Sequence, residues 1–167
     1  KKKKKKTNNI FKKIKSKNDV LKIKIDNILI GDLIYDTYLK KYIEPTLNLT
    51  DKRFYYLLAD FVYLFEFWKL YLKKNKVKAV VGVHTPYSFG LILRIAISKN
   101  IPTYATSSRF LYSLNKKMPY MHGHFKIFKK HFSKLDSKTK KAALLKAKKR
   151  LELRFNGTAG AKVDLIS

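Results

Sequence analysis

Residues 77–106 restrict the fold of this chain more than any other stretch. VKAVVGVH (77–84) is a nearly unbroken apolar run rich in β-branched residues. That is the pattern of a strand covered on both faces in a parallel sheet. Thr85 followed by Pro86 reads as a helix N-cap with proline at the first helical position. The helix continues through YSFGLILRIAISK to Lys99, with Asn100 as its C-terminal stop. IPTYAT (101–106) then supplies the next strand. Strand, helix and strand fill about 30 residues, the length of a right-handed βαβ unit. An α/β fold follows, a parallel sheet flanked by helices.

The flanking segments supply further elements. VLKIKI (20–25) alternates apolar residues with lysine and reads as a half-exposed strand, and Asp26-Asn27 is a tight turn into the short run ILI (28–30). Gly31-Asp32 ends that strand and starts a helix with Asp32 near its N-terminus. Asp51 can cap a helix reaching about Asn75, on which Phe54, Leu58, Phe61, Phe65, Trp68 and Leu72 form an apolar stripe. Asp60, Glu66 and Lys69 interrupt that helix, so it reads as buried or interfacial rather than membrane-spanning. After Arg109 the chain is loop-like to Tyr120. A last helix covers 137–155, capped by Ser137 and ended by Asn156-Gly157.

Charge is lopsided. The net charge is +28, and the first seventeen residues hold ten lysines and no acid. Residues 1–18 are expected to be a disordered arm or helix remnant, 19–157 one domain, and 158–167 the start of a linker. So basic a surface attracts nucleic acid, anionic lipid or phosphorylated groups. Only five of the 39 basic residues are arginine, the side chain that base-reading surfaces favour. The lysine excess therefore weighs against direct nucleic-acid binding. There is no cysteine, which excludes disulfides and thiolate metal sites and suits a cytoplasmic protein. Methionine occurs only at Met118 and Met121, so the chain is expected to be a segment of a longer one.

Ligands of open α/β sheets sit beyond the carboxyl ends of the strands. His84 lies at such an end, and the helix start after it could hold a phosphate or carboxylate. A neutral imidazole there can take a proton from a hydroxyl, or simply cap the strand. Arg109, just after the next strand, would reach the same mouth. In GDLIYDTYLKKY (31–42), Asp32, Tyr35 and Asp36 share a helix face. They are either a cleft-lining hydroxyl binder and base, or only a polar face. No third acid accompanies the two aspartates. His122 and His124, with His131 nearby, are a weak zinc pattern without further ligands, so no metal site is expected. No glycine-rich phosphate loop or nucleophile elbow occurs.

Three stretches, ILIGDLIYDTYLK, VKAVVGVHTPYSFGLILRIAISKNIPTY and AKKRLELRFNG, together resemble the N-terminal half of bacterial capsule and surface-polysaccharide biosynthesis proteins. These are glycosyltransferases of the GT-B type. The likeness runs from about Leu21 to the C-terminus, and Gly-Asp-Leu-Ile-Tyr-Asp-Thr-Tyr is its most specific part. It implies a Rossmann-like acceptor-side domain facing a second, donor-binding domain across a cleft. Gly31 to Tyr38 and His84 to Tyr87 would border that cleft. His84 and Asp36 would then be the catalytic candidates. Asp32, Tyr35, Tyr38, Thr85, Tyr87 and Arg109 would be the substrate-binding ones. The donor would be a nucleotide sugar, with no cofactor held by this segment. The acceptor would be a glycan or lipid-linked glycan, at the cytoplasmic face of an anionic membrane. Rival readings are a basic nucleic-acid-binding module and a non-catalytic membrane-associated scaffold.

Overall fold

The computed structural model describes residues 2–107, 110–121 and 128–158. They form a mixed α/β protein that divides into two compact units, Lys1–His122 and Gly123–Ser167.

In the first unit, the lysine tract is helical. α1 (Lys2–Phe11) packs on α4 (Lys52–Lys74), with Thr7 buried, Asn8 Oδ1 accepting from the Tyr55 hydroxyl at 2.6 Å, and Phe11 edge-on to Tyr55. A short helix, α2 (Lys17–Leu21), comes next, held by a capping box in which Ser16 and Asp19 satisfy each other's backbone N–H groups. The expected strand over 20–25 shrinks accordingly to β1 (Lys24–Ile25), because that capping box draws Val20 and Leu21 into helix. β1 pairs antiparallel with β2 (Ile28–Leu29) across Asp26 and Asn27, whose φ values of 50° and 63° are those of a primed two-residue turn.

α3 (Gly31–Tyr42) starts where Gly31 passes against α2. A Cβ on Gly31 would lie 1.9 Å from the Val20 carbonyl oxygen, so no other residue fits. α4 begins at Asp51, whose side chain accepts from the Arg53 N–H. Its Phe54, Leu58, Phe61 and Phe65 are fully buried, the centre of the core.

β3 (Val80–Gly82), α5 (Phe89–Ser98) and β4 (Thr103–Thr106) form the expected strand–helix–strand, with β3 and β4 parallel in the register Val80↔Thr103. Two features differ from the sequence expectation. β3 is covered on one face only: Val80 is buried, while Val81 and Val83 are each 61% exposed. Leu93 of α5 packs against Gly82 on the covered side. The sheet is also mixed rather than parallel. β5 (Leu111–Leu114), in a segment expected to be loop, runs antiparallel to β4, giving the order β3-β4-β5. α5 starts three residues later than Pro86 suggests, because Tyr87 takes a φ of 58°. It ends as expected: Asn100 is left-handed, and the N–H groups of Asn100 and Ile101 return to the carbonyls of Ile97 and Ala96, a Schellman closure.

In the second unit, α6 (Phe128–Ser133) precedes α7 (Ser137–Phe155), which buries no residue. Its cap is Asp136, one residue before the expected Ser137, and Gly157 follows with φ 67°.

Candidate functional site

Helix α3 carries the two aspartates of the GDLIYD run, and the structure gives them different surroundings. Asp32 is clamped by Arg94 of α5. Arg94 Nη1 and Nη2 donate to its two carboxylate oxygens at 2.6 Å each, and Nη1 also donates to the Leu29 carbonyl at 2.7 Å. The Tyr120 hydroxyl donates to the same carboxylate at 3.2 Å, with the Arg94 guanidinium over its ring. Burial alone would raise the Asp32 carboxyl. The Arg94 hydrogen bonds and charge outweigh it and hold the group below the ordinary carboxylate range. Arg94 is only 6% exposed, and its Nε–H has no acceptor among the described residues. The Asp32–Arg94 pair therefore ties α3, α5, β2 and the segment after β5 into one frame.

Asp36 lies one turn further along the same face. It is solvent-accessible, yet the surrounding chain withdraws it enough from water to push its carboxyl up. The Asp32 charge adds to that rise and Arg94 offsets part of it. A carboxylate with raised basicity, next to a fixed ion pair, is the arrangement that accepts a proton from a bound hydroxyl.

The contacts of α3 along this face run in order. Asp32 meets Arg94, Leu33 meets the position of a Gly90 Cβ at 3.0 Å, and Lys40 lies 4.3 Å from the ring centre of Tyr87. Tyr87 sits beyond the carboxyl end of β3, left-handed at φ 58°. That conformation costs a side-chain-bearing residue about 1–2 kcal/mol, and such strain concentrates at functional sites. Asp36 falls between the Leu33 and Lys40 contacts, on the side of α3 that faces the start of α5 and the loop before it.

The other expected site residues distribute as follows. His84 is exposed at the end of β3, its ring 6.2 Å from that of Phe89. Thr85 is buried and accepts from the Met121 N–H at 3.3 Å, and its carbonyl presses on Gly90, so it braces the loop instead of capping α5. Tyr35 turns away from Asp36 and shares the Thr46 hydroxyl with Lys17. Tyr38 is fully buried, its hydroxyl donating to Asp51 at 2.6 Å, which makes it a core residue with no face toward a ligand. Arg109, His122 and His124 lie outside the described residues, and His131 is on α6 of the second unit. Among the described residues no three metal-ligating side chains gather.

The sequence reading passed over Arg94 and Tyr120. Arg94 had a signal: it is the one charge within LILRIAIS, and a lone arginine in an apolar helix must find a carboxylate. The site thus comprises Asp36 and Tyr87, with His84 at the strand end, framed by Asp32 and Arg94. No family model, no curated protein and no solved structure matches this chain.

Proposed function

We propose that the chain is the acceptor-side α/β domain of a glycosyltransferase that builds a bacterial surface polysaccharide, working at the cytoplasmic face of the membrane. The finer architecture under this proposal is a Rossmann-like domain of a GT-B type enzyme. The observation that carries it is the placement of Asp36, with its raised carboxyl, on the face of α3 that leads to Tyr87 beyond the carboxyl end of β3.

In the proposed reaction an acceptor glycan hydroxyl attacks the anomeric carbon of a nucleotide sugar. The bond from that carbon to the nucleotide phosphate breaks, the nucleotide leaves with the electron pair, and the hydroxyl proton passes to the protein. Asp36 is the better placed acceptor for that proton, and the exposed His84 imidazole is the alternative. Tyr87 offers the sugar an apolar ring and a hydroxyl. Asp32 and Arg94 hold α3 in place and touch no substrate.

Titration of the purified chain with surface-polysaccharide oligosaccharides, followed by NMR, tests this directly. Saturable shifts at His84, Tyr87 and α3 are expected, lost in Asp36→Asn and Tyr87→Ala while the Asp32–Arg94 frame persists. Glycan binding that survives both substitutions, or complete displacement by an arbitrary oligonucleotide, would sink the proposal.

A further inference from the structure

Helix α4 is two-sided. One side, through Phe54, Leu58, Phe61, Phe65 and Leu72, is buried. The opposite side carries Tyr56, Tyr63, Phe67, Leu70 and Tyr71, at spacings that put all five on one exposed face. Tyr63, Phe67, Leu70 and Tyr71 are each between 44% and 54% exposed, too much apolar surface in one row for a purely solvated face. Phe67 stacks on Tyr71, so the row is preformed.

Helix α1 borders this face with cations. Lys3, Lys4 and Lys5 are exposed, and Lys3 Nζ lies 3.9 Å from the ring centre of Tyr63. Between the two helices is a groove of about 640 Å³ lined by Lys3, Lys6, Tyr63, Glu66, Phe67 and Leu70. Of the nearby acids, Glu66 is neutralised by Lys6, and the exposed Asp60 is outnumbered by Lys3, Lys4 and Lys5 of α1.

We infer that this face docks the protein on an anionic lipid bilayer, with α4 lying in the plane of the interface. The rings and Leu70 would enter the headgroup boundary, and the α1 lysines would meet lipid phosphates. Aromatic rings with a polar tip partition to that depth, and a lysine row beside them selects anionic headgroups. No described helix is long and apolar enough to cross a membrane, so the contact is peripheral. The inference deepens the membrane-face setting of the proposed function, but it rests on α1 and α4 alone.

Trp68, the sole tryptophan, reports on the face, since its ring centre is 4.9 Å from that of Phe67 and 5.8 Å from that of Tyr71. The test uses glycan-free vesicles of phosphatidylcholine with and without phosphatidylglycerol, at physiological salt. Flotation with the phosphatidylglycerol vesicles and a blue shift of Trp68 emission are expected, with little of either on phosphatidylcholine alone. The double variant Phe67→Ser/Leu70→Ser should bind about tenfold or more weakly. Circular dichroism should show it folded, because both side chains are exposed. Lys3→Gln/Lys4→Gln/Lys5→Gln should weaken binding and reduce its salt dependence. Undiminished binding of the double variant would reveal lysine adsorption alone and overturn the inference. So would absence of vesicle binding, or a concentration-dependent dimer that the double variant abolishes. Glycan binding without vesicle binding overturns only this surface, whereas the reverse result overturns only the acceptor-site proposal.

Discussion

Ile43 ends α3 in the left-handed region, φ 55°, with its side chain 91% exposed. A β-branched residue gains nothing there and carries the steric cost, so Ile43→Asn should raise the unfolding free energy by roughly 1 kcal/mol in urea titrations. At Asp32 the effect runs the other way. Asp32→Asn leaves a buried guanidinium without its counter-charge and should cost about 3 kcal/mol. Its depressed carboxyl contributes stability that is present above the unfolded value of 3.8 and lost as pH falls through the lower folded value. Removing Asp32 therefore flattens the acid limb of the stability profile. Asp36, raised, has the opposite sign: its penalty is absent below 3.8, grows as pH climbs to the folded value, and is complete above it. Asp36→Asn should thus stabilise the fold at pH 7 and change little at pH 3, as urea unfolding at the two values would show. A substitution that stabilises the protein yet abolishes glycan binding would mark Asp36 as kept for function.

At the level of elements, the two faces of α4 should respond unequally. Phe61→Ala opens a cavity and should cost about 3–5 kcal/mol, while Phe67→Ala should stay within about 0.5 kcal/mol in the same denaturation assay. This helix was legible because an apolar stripe of 23 residues leaves no other period to choose. The hairpin turn at Asp26-Asn27 and the Asn100 stop were legible because positive φ selects asparagine and aspartate. The strand over 20–25 misled, since its alternation competed with the Ser16–Asp19 capping box, a local signal that wins in a short segment. β5 gave no cue because it is held by backbone pairing to β4, with Leu111 exposed and only Leu114 buried among its leucines. At the candidate site, the places of His84 at the end of β3 and of Asp36 on α3 were readable from chain position. Tyr38 was misplaced because a tyrosine in a motif looks the same whether its hydroxyl meets a ligand or Asp51. Arg94 stood out as a lone charge in an apolar helix, but its partner was hidden because it lies 62 residues away.

For the whole molecule, charge and core are unevenly spread. The first unit holds the buried cluster, whereas α7 in the second buries nothing. Near-ultraviolet signals from Trp68 and the buried tyrosine should therefore melt in one cooperative step, while amides of α7 exchange with solvent far faster than those of α4 and α5. With a net charge of +28 the folded state repels itself, so added sodium chloride should raise the melting temperature, an effect read directly by calorimetry. Most helix packing here joins sequence neighbours, such as α2 with α3 and α3 with α4, and those contacts can form early. The Asp32–Arg94 clamp closes a far longer loop and gains its energy only after the helices have gathered. A latch of this kind is expected to shut late: in stopped-flow experiments Asp32→Asn should refold about as quickly as the parent chain and unfold much sooner.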